Sequence, residues 1–315
     1  MRTVPAVTAS IVLAGALVTL MMGSTAAAAG PAAQASGSIA VVGVTLKTDI
    51  AAVVTSHPDG TMQFELPLSA AVLPVSAAWS PDGKELALDA AGGVFVIGAD
   101  GRGFRQVTRT ETGGTVSWSP DGKWIAFIDN TAYGYWSAAY AVSPDGTGRH
   151  QLLEGFDAET LAWAPGGRIA FLGWPNHPGP PSAQPPGQHP PAGLWTADSD
   201  GTHAKLVAGP NASADIWVTG WSPDGRWLLF SYGNRLVEVP AAGGRPRVLL
   251  TTASPAYVAA AAWSPGGSTI IVAVNPNVSS VAPVRYYRIP ASGGRAVPVD
   301  LPPMRYVSGL TWAAG

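Results

Sequence analysis

The chain has 315 residues, 47% hydrophobic and 12% charged, with 18 basic groups against 20 acidic ones and no Cys. The near balance of charge and the lack of a long basic run argue against a nucleic-acid partner. Its 12 Trp argue against disorder, and its 38 Gly and 29 Pro point to many turns. From the N-terminus, Met1 and Arg2 precede an apolar run from Val4 to Met22, then Gly23, Ser24, Thr25 and Ala26–Ala29. A basic start, an apolar stretch and an A-x-A end read as a secretory signal over residues 1–29, with an uncleaved anchor as the alternative. Residues 30–37 are then a flexible mature N-terminus and 38–315 the folded domain. The expectation is a secreted or cell-envelope protein, off the membrane once cleaved. With no Cys, neither disulfides nor a lipid-bearing Cys can serve such a product.

A pentapeptide then recurs along the chain. WSPDG stands at Trp79–Gly83, Trp118–Gly122 and Trp221–Gly225, and WAPGG, WSPGG and WAAG begin at Trp163, Trp263 and Trp312. The six Trp are 39, 45, 58, 42 and 49 residues apart, the period of a repeat architecture. A second series of turn glycines, Gly60, Gly101, Gly146, Gly201, Gly244 and Gly294, precedes each Trp by 17–20 residues. The interval from each Trp to the next such Gly ranges from 22 to 38 residues, so insertions are confined to one half of the repeat.

One repeat reads as four strands. The first ends at the Trp. In SPDG, Pro fixes φ, Asp bonds locally and Gly takes positive φ, which makes a turn. Second strands are predicted at Glu85–Leu88, Trp124–Ile128, Arg168–Leu172, Trp227–Ser231 and Thr269–Val274. Third strands follow at Gly93–Ile97, Ala138–Val142, Gly193–Ala197, Arg235–Val239 and Arg285–Ile289, and fourth strands include Arg105–Thr108 and Pro246–Leu250. Four antiparallel strands per 40–50 residues make a propeller blade. Only three residues follow Trp312, and the strands that its repeat lacks lie at the other end, at Ser38–Gly43, Ile50–Ser56 and Thr61–Leu66. The prediction is an all-β, six-bladed β-propeller, its last blade composite and closed by the N- and C-terminal strands.

At WSPDGKELAL, WSPDGKWIAF, WAPGGRIAF and WSPDGRWLLF the chain resembles TolB-like, PD40-type (WD40-like) propellers. The resemblance runs from about residue 38 to 315. It implies a six-bladed propeller, and no segment before Trp79 has room for the α/β domain that TolB adds. The chain differs from WD40 repeats, since none ends in Trp-Asp.

The repeat residues Trp79, Trp118, Trp163, Trp221, Trp263 and Trp312 are expected to be structural, packing between blades. Asp82, Asp121 and Asp224, with Asp59, Asp100, Asp145 and Asp200, fall in turns. No G-x-S-x-G motif, metal-ligand spacing or phosphate-cradling loop appears, so no catalytic residue is assigned. His177 and His189, in a proline-rich run, are at most weak chelators. The length variation falls on one propeller face. It carries the proline-rich insertion 174–191, the stretches 129–137 and 275–283, and the inter-blade connections. Those connections contribute Glu111, Asp157, Glu159, Asp215, Trp217, Tyr257, Arg305 and Tyr306 to the mouth of the central channel. Acidic groups beside aromatic rings suit a cation, a sugar or a basic peptide. The reading is a monomeric binding or scaffold module for a protein, peptide or glycan of the cell envelope, needing no cofactor. The alternative is an enzyme of the six-bladed lactonase or hydrolase type, with a metal, calcium by choice, at the mouth.

Overall fold

The computed structural model describes residues 37–68, 74–110, 114–130, 137–175, 192–208, 216–277 and 282–313, with the backbone alone at Pro67 and at 216–219. The predicted leader, residues 30–36, Glu111, Asp215 and residues 176–191 of the proline-rich insertion lie outside that set.

The described chain forms six four-stranded antiparallel sheets. Blade I holds β4 (Pro74–Trp79), β5 (Glu85–Ala90), β6 (Gly93–Gly98) and β7 (Arg105–Thr108). Blade II holds β8 (Val116–Trp118), β9 (Ile125–Asp129), β10 (Ala138–Val142) and β11 (His150–Gln151). Blade III holds β12 (Phe156–Trp163), β13 (Ile169–Pro175), β14 (Gly193–Ala197) and β15 (Lys205–Ala208). Blade IV holds β16 (Ile216–Trp221), β17 (Trp227–Tyr232), β18 (Arg235–Pro240) and β19 (Arg247–Thr251). Blade V holds β20 (Tyr257–Trp263), β21 (Thr269–Asn275), β22 (Arg285–Pro290) and β23 (Val297–Val299). Blade VI is composite: β24 (Met304–Trp312) pairs with β1 (Ile39–Thr45), followed by β2 (Ala51–Ser56) and β3 (Met62–Pro67). The register runs Ile39↔Trp312, Val41↔Leu310 and Val44↔Tyr306, so the chain ends close the ring.

Burial explains the strand sequences. Second strands such as IAFID in β9 are apolar without alternation because both faces are covered. Fourth strands such as β7 and β19 are exposed at half or more of their positions and accept charges. Each core cluster lies between two neighbouring blades. Leu86 and Leu88 pack with Ala40 and Val42 of blade VI, while Ala87 between them packs with Ile125 and Phe127 of blade II. The repeat Trp side chains join these layers, Trp118 with blade I and Trp263 with blade IV.

Three differences from the predicted strands are local. The strand after Trp118 starts at Ile125, one residue later than predicted, although Trp124 makes with Ser119 the two bonds that Glu85 and Trp227 make with Ser80 and Ser222: its N–H donates to Ser119 Oγ (2.9 Å) and its carbonyl accepts from Ser119 N–H (2.8 Å). β13 continues past Leu172 to Pro175, since β12 is long enough to pair Asp157 with Trp174. The innermost strands β4, β12, β16, β20 and β24 carry register shifts that leave Val75, Glu159, Thr219, Ala259 and Ser308 as bulged residues. Bulges bend and twist a strand.

Candidate functional site: the channel mouth on the variable-loop face

Within each blade the turns after the first and third strands lie at one end of the sheet. The turns after the second strand and the inter-blade connections lie at the other. At this second end a cavity of about 260 Å³ opens in the centre of the ring. It is lined by Val75 and Ser76 of blade I, Gly114 and Thr115 before and at the edge of β8, Ser231 and Gly233 of blade IV, Tyr257–Ala259 of blade V and Tyr306–Ser308 of blade VI. Three bulged residues, Val75, Ala259 and Ser308, are part of this wall.

Two of the sequence-derived mouth residues meet here. Tyr257 and Tyr306 both line the cavity, and the Tyr306 hydroxyl is held above the ordinary tyrosine pKa, first by burial and then by Tyr257 beside it. Behind them stands Asn275. Its Nδ2 donates to the Tyr257 hydroxyl (3.0 Å) and to Val307 O (3.1 Å), and its Oδ1 accepts from Val307 N–H (3.2 Å). Asn275 is buried, and it ends β21 rather than opening the 275–283 loop as its sequence position suggested. One residue cannot show in sequence that its amide reaches another blade's strand, which is why Asn275 escaped the reading.

Three of the other positions, Asp157, Glu159 and Arg305, lie apart from this cavity. Asp157 is buried at the start of β12, and Glu159 is the exposed bulged residue of that strand. Arg305 pairs with Asp49 of the β1–β2 turn (Nε–Oδ1 3.0 Å). None of these three lines the cavity. Trp217 lies in β16, where the backbone alone is described, and Glu111 and Asp215 fall outside the described residues. Among the described residues no three His, Cys, Asp or Glu side chains come together as a metal site. The proline-rich insertion begins with Trp174 and Pro175 inside β13.

In fold the chain is a TolB-like six-bladed propeller. TolB from Acinetobacter baumannii superposes with a TM-score of 0.64 at 17% identity, over 88% of this chain and 66% of that one, so the match spans just under two thirds of TolB. A chain of a nidogen/laminin complex gives 0.65 at 14% identity, over 88% of this chain and 98% of that one. The periplasmic gluconolactonase of Pseudomonas aeruginosa gives 0.51 at 16% identity, over 88% and 99%. No protein-family model and no curated protein matches the sequence.

Proposed function

We propose that the protein is an exported binding propeller of the cell envelope, which holds a protein, peptide or glycan at the channel mouth on its variable-loop face. The observation that carries this reading is the Tyr257–Tyr306 pair on the cavity wall, fixed from behind by Asn275. Tyrosine offers a large rigid apolar ring with a polar tip, a combination that suits recognition surfaces. Loops on a rigid scaffold commonly carry binding, and the length-variable loops share this face. Export is supported by the apolar leader and is compatible with the periplasmic gluconolactonase among the fold neighbours. A binding role is compatible with the neighbour seen in a protein–protein complex.

The test is capture from envelope extract of the source cell, comparing the wild-type chain, Tyr257→Ala/Tyr306→Ala and a chain lacking 176–191. The double variant is expected to retain about a tenth or less of the wild-type capture of the same component, the scale of losing one interfacial anchor. Undiminished capture by the double variant overturns the reading.

A further inference from the structure

Charge is divided unevenly around the ring. Residues 216–299, which form blades IV and V, hold seven arginines against two acidic residues, Asp224 and Glu238. The rest of the chain holds eleven basic residues against eighteen acidic ones. Both acidic groups of blades IV and V are already engaged. Asp224 accepts from the Ser222 hydroxyl (2.5 Å) and from Arg226 N–H (3.0 Å). Glu238 is buried and accepts from Arg247 Nε–H (2.8 Å).

The turn after the third strand, at the end of the ring opposite the tyrosine mouth, concentrates this difference. In blades I, II, III and VI it carries Asp100, Asp145, Asp200 and Asp59. Each carboxylate accepts from the N–H two residues on, that of Arg102, Thr147, Thr202 or Thr61, at 2.8–3.0 Å. For Asp59 this bond is the first cause that holds its carboxyl below the ordinary aspartate pKa. The turns of blades IV and V close on the same backbone bond: Gly243 N–H donates to Pro240 O and Gly293 N–H to Pro290 O, as Gly101 N–H does to Gly98 O. There Ala242 and Ser292 stand where the other turns have aspartate, so the N–H of Gly244 and of Gly294 has no turn carboxylate to accept it. Cations gather at these two turns instead. Lys205 of blade III donates to Ala242 O (2.6 Å), and Arg247 of blade IV donates to Ser292 O (2.8 Å) and Ala291 O (2.9 Å). Arg245 and Arg295 directly follow the glycine pairs; both are exposed, and neither forms an ion pair among the described residues.

We propose that this rim of blades IV and V docks an acidic segment of a partner protein, two of whose carboxylates take the places that aspartate fills in the other four turns. The chemistry of the missing group selects the partner. In the four sister turns the equivalent N–H receives a carboxylate oxygen, and here arginines stand beside it, whose planar forks match a carboxylate with two donors. A flat anionic membrane fits less well. The same end of the ring carries Asp59, Asp82, Asp100, Asp121, Asp145 and Asp200 on the other blades, and like charges brought together are repelled. An extended segment lying across two adjacent blades meets the basic sector alone.

The probe is hexaaspartate with both ends blocked, titrated calorimetrically at low salt, where exposed charges are least screened, and followed through the backbone amide resonances of the ¹⁵N-labelled chain. The expected result is saturable binding in which the amides of Gly244 and Gly294 shift more than those of Arg102, Thr147 and Thr202, which already hold a carboxylate. Arg245→Ser/Arg295→Ser should bind about tenfold or more weakly. A second variant, Ala242→Asp/Ser292→Asp, puts the aspartate back. It copies the other four turns, so it should keep the fold and lose the binding. Tyr257→Ala/Tyr306→Ala should bind hexaaspartate as wild type does, which keeps failure here separate from failure of the reading at the channel mouth. No saturable binding overturns the proposal. So does undiminished binding by the aspartate variant, or tighter binding of polyphosphate or of phosphatidylglycerol vesicles at the same amides. Sedimentation velocity tests the remaining occupant. A chain that self-associates, and becomes monomeric as A242D/S292D, takes its acidic segment from a second copy, and that result also overturns the proposal.

Discussion

Ser80, Ser119 and Ser222 each carry two bonds in their turns. Each Oγ donates to the aspartate two residues on, Asp82, Asp121 and Asp224, at 2.8, 2.7 and 2.5 Å. Each also accepts from an N–H at the start of the next strand, that of Glu85 or Trp227, or from the one just before it, that of Trp124. The serine bond is the first cause, and the backbone N–H of Lys84, Lys123 or Arg226 the second, that holds these carboxyls below the ordinary aspartate pKa. A depressed folded pKa gives stability that is complete above the unfolded value of about 3.9 and is lost as pH falls through the folded value. Urea unfolding midpoints should therefore drop on acidification below about pH 4, modestly, since these groups face water and are screened. Ser→Ala at all three serines should flatten that acid limb. At neutral pH it should cost about 0.5–1.5 kcal/mol per site, for the hydrogen bonds lost. An unchanged acid limb in the triple variant would assign the effect to other carboxylates.

Between elements, one amide links two blades across the rim. Asn275, at the end of β21, satisfies both the N–H and the carbonyl of Val307 in β24 and so ties blade V to the closing strand. Asn275→Ala leaves two buried backbone groups and the Tyr257 hydroxyl without their partner. The expected loss is about 1–3 kcal/mol per buried group left unpaired, read as a lower urea midpoint with an unchanged slope. A loss under about 0.5 kcal/mol would mean that the strands hold without it. Blade count, strand order and the composite blade were legible in sequence, because turns such as SPDG punctuate the chain and second strands such as IAFID are apolar up to their last residue. The bulges were not legible, since a bulged residue such as Ser308 or Glu159 has no distinguishing side chain. Neither was the bonding of Trp163. Its turn is one residue shorter, Ala164 N–H bonding Arg168 O, and the indole N–H turns to Gly167 O in that turn rather than to the next blade. Of the mouth residues, sequence named Tyr257 and Tyr306 from their place before the first strand, but proximity in the chain placed Asp157, Glu159 and Arg305 beside them where the ring sets them apart from the cavity.

At the scale of the whole molecule, the ring depends on β24 lying beside β1. The seam imitates the hairpin found in the other blades. Ala313 N–H donates to Ser38 O at 2.8 Å, as Ser80 N–H does to Glu85 O at 2.8 Å. Ile39 opposes Trp312 as Leu86 opposes Trp79. Four residues separate Ser80 from Glu85, so Pro-Asp-Gly-Lys placed between Ala313 and Ser38 rebuilds an SPDG-type turn at the seam. A circular permutant joined in this way, with new ends opened between Asp82 and Gly83, moves the composite blade from VI to I without altering any pairing. It should keep the native near-ultraviolet circular dichroism, with a thermal midpoint within about 5 °C of wild type, the shift that 1–2 kcal/mol produces in a domain of this size. A chain truncated after Pro303 lacks the innermost strand of blade VI, loses Met304, Val307 and Leu310 from the layer that holds Ile39 and Val41, and should lose cooperative unfolding. If the permutant fails to fold while an equivalent linker placed elsewhere is tolerated, the seam is not a hairpin with its turn removed. The pairing of the chain ends would then contribute something that a covalent turn cannot replace.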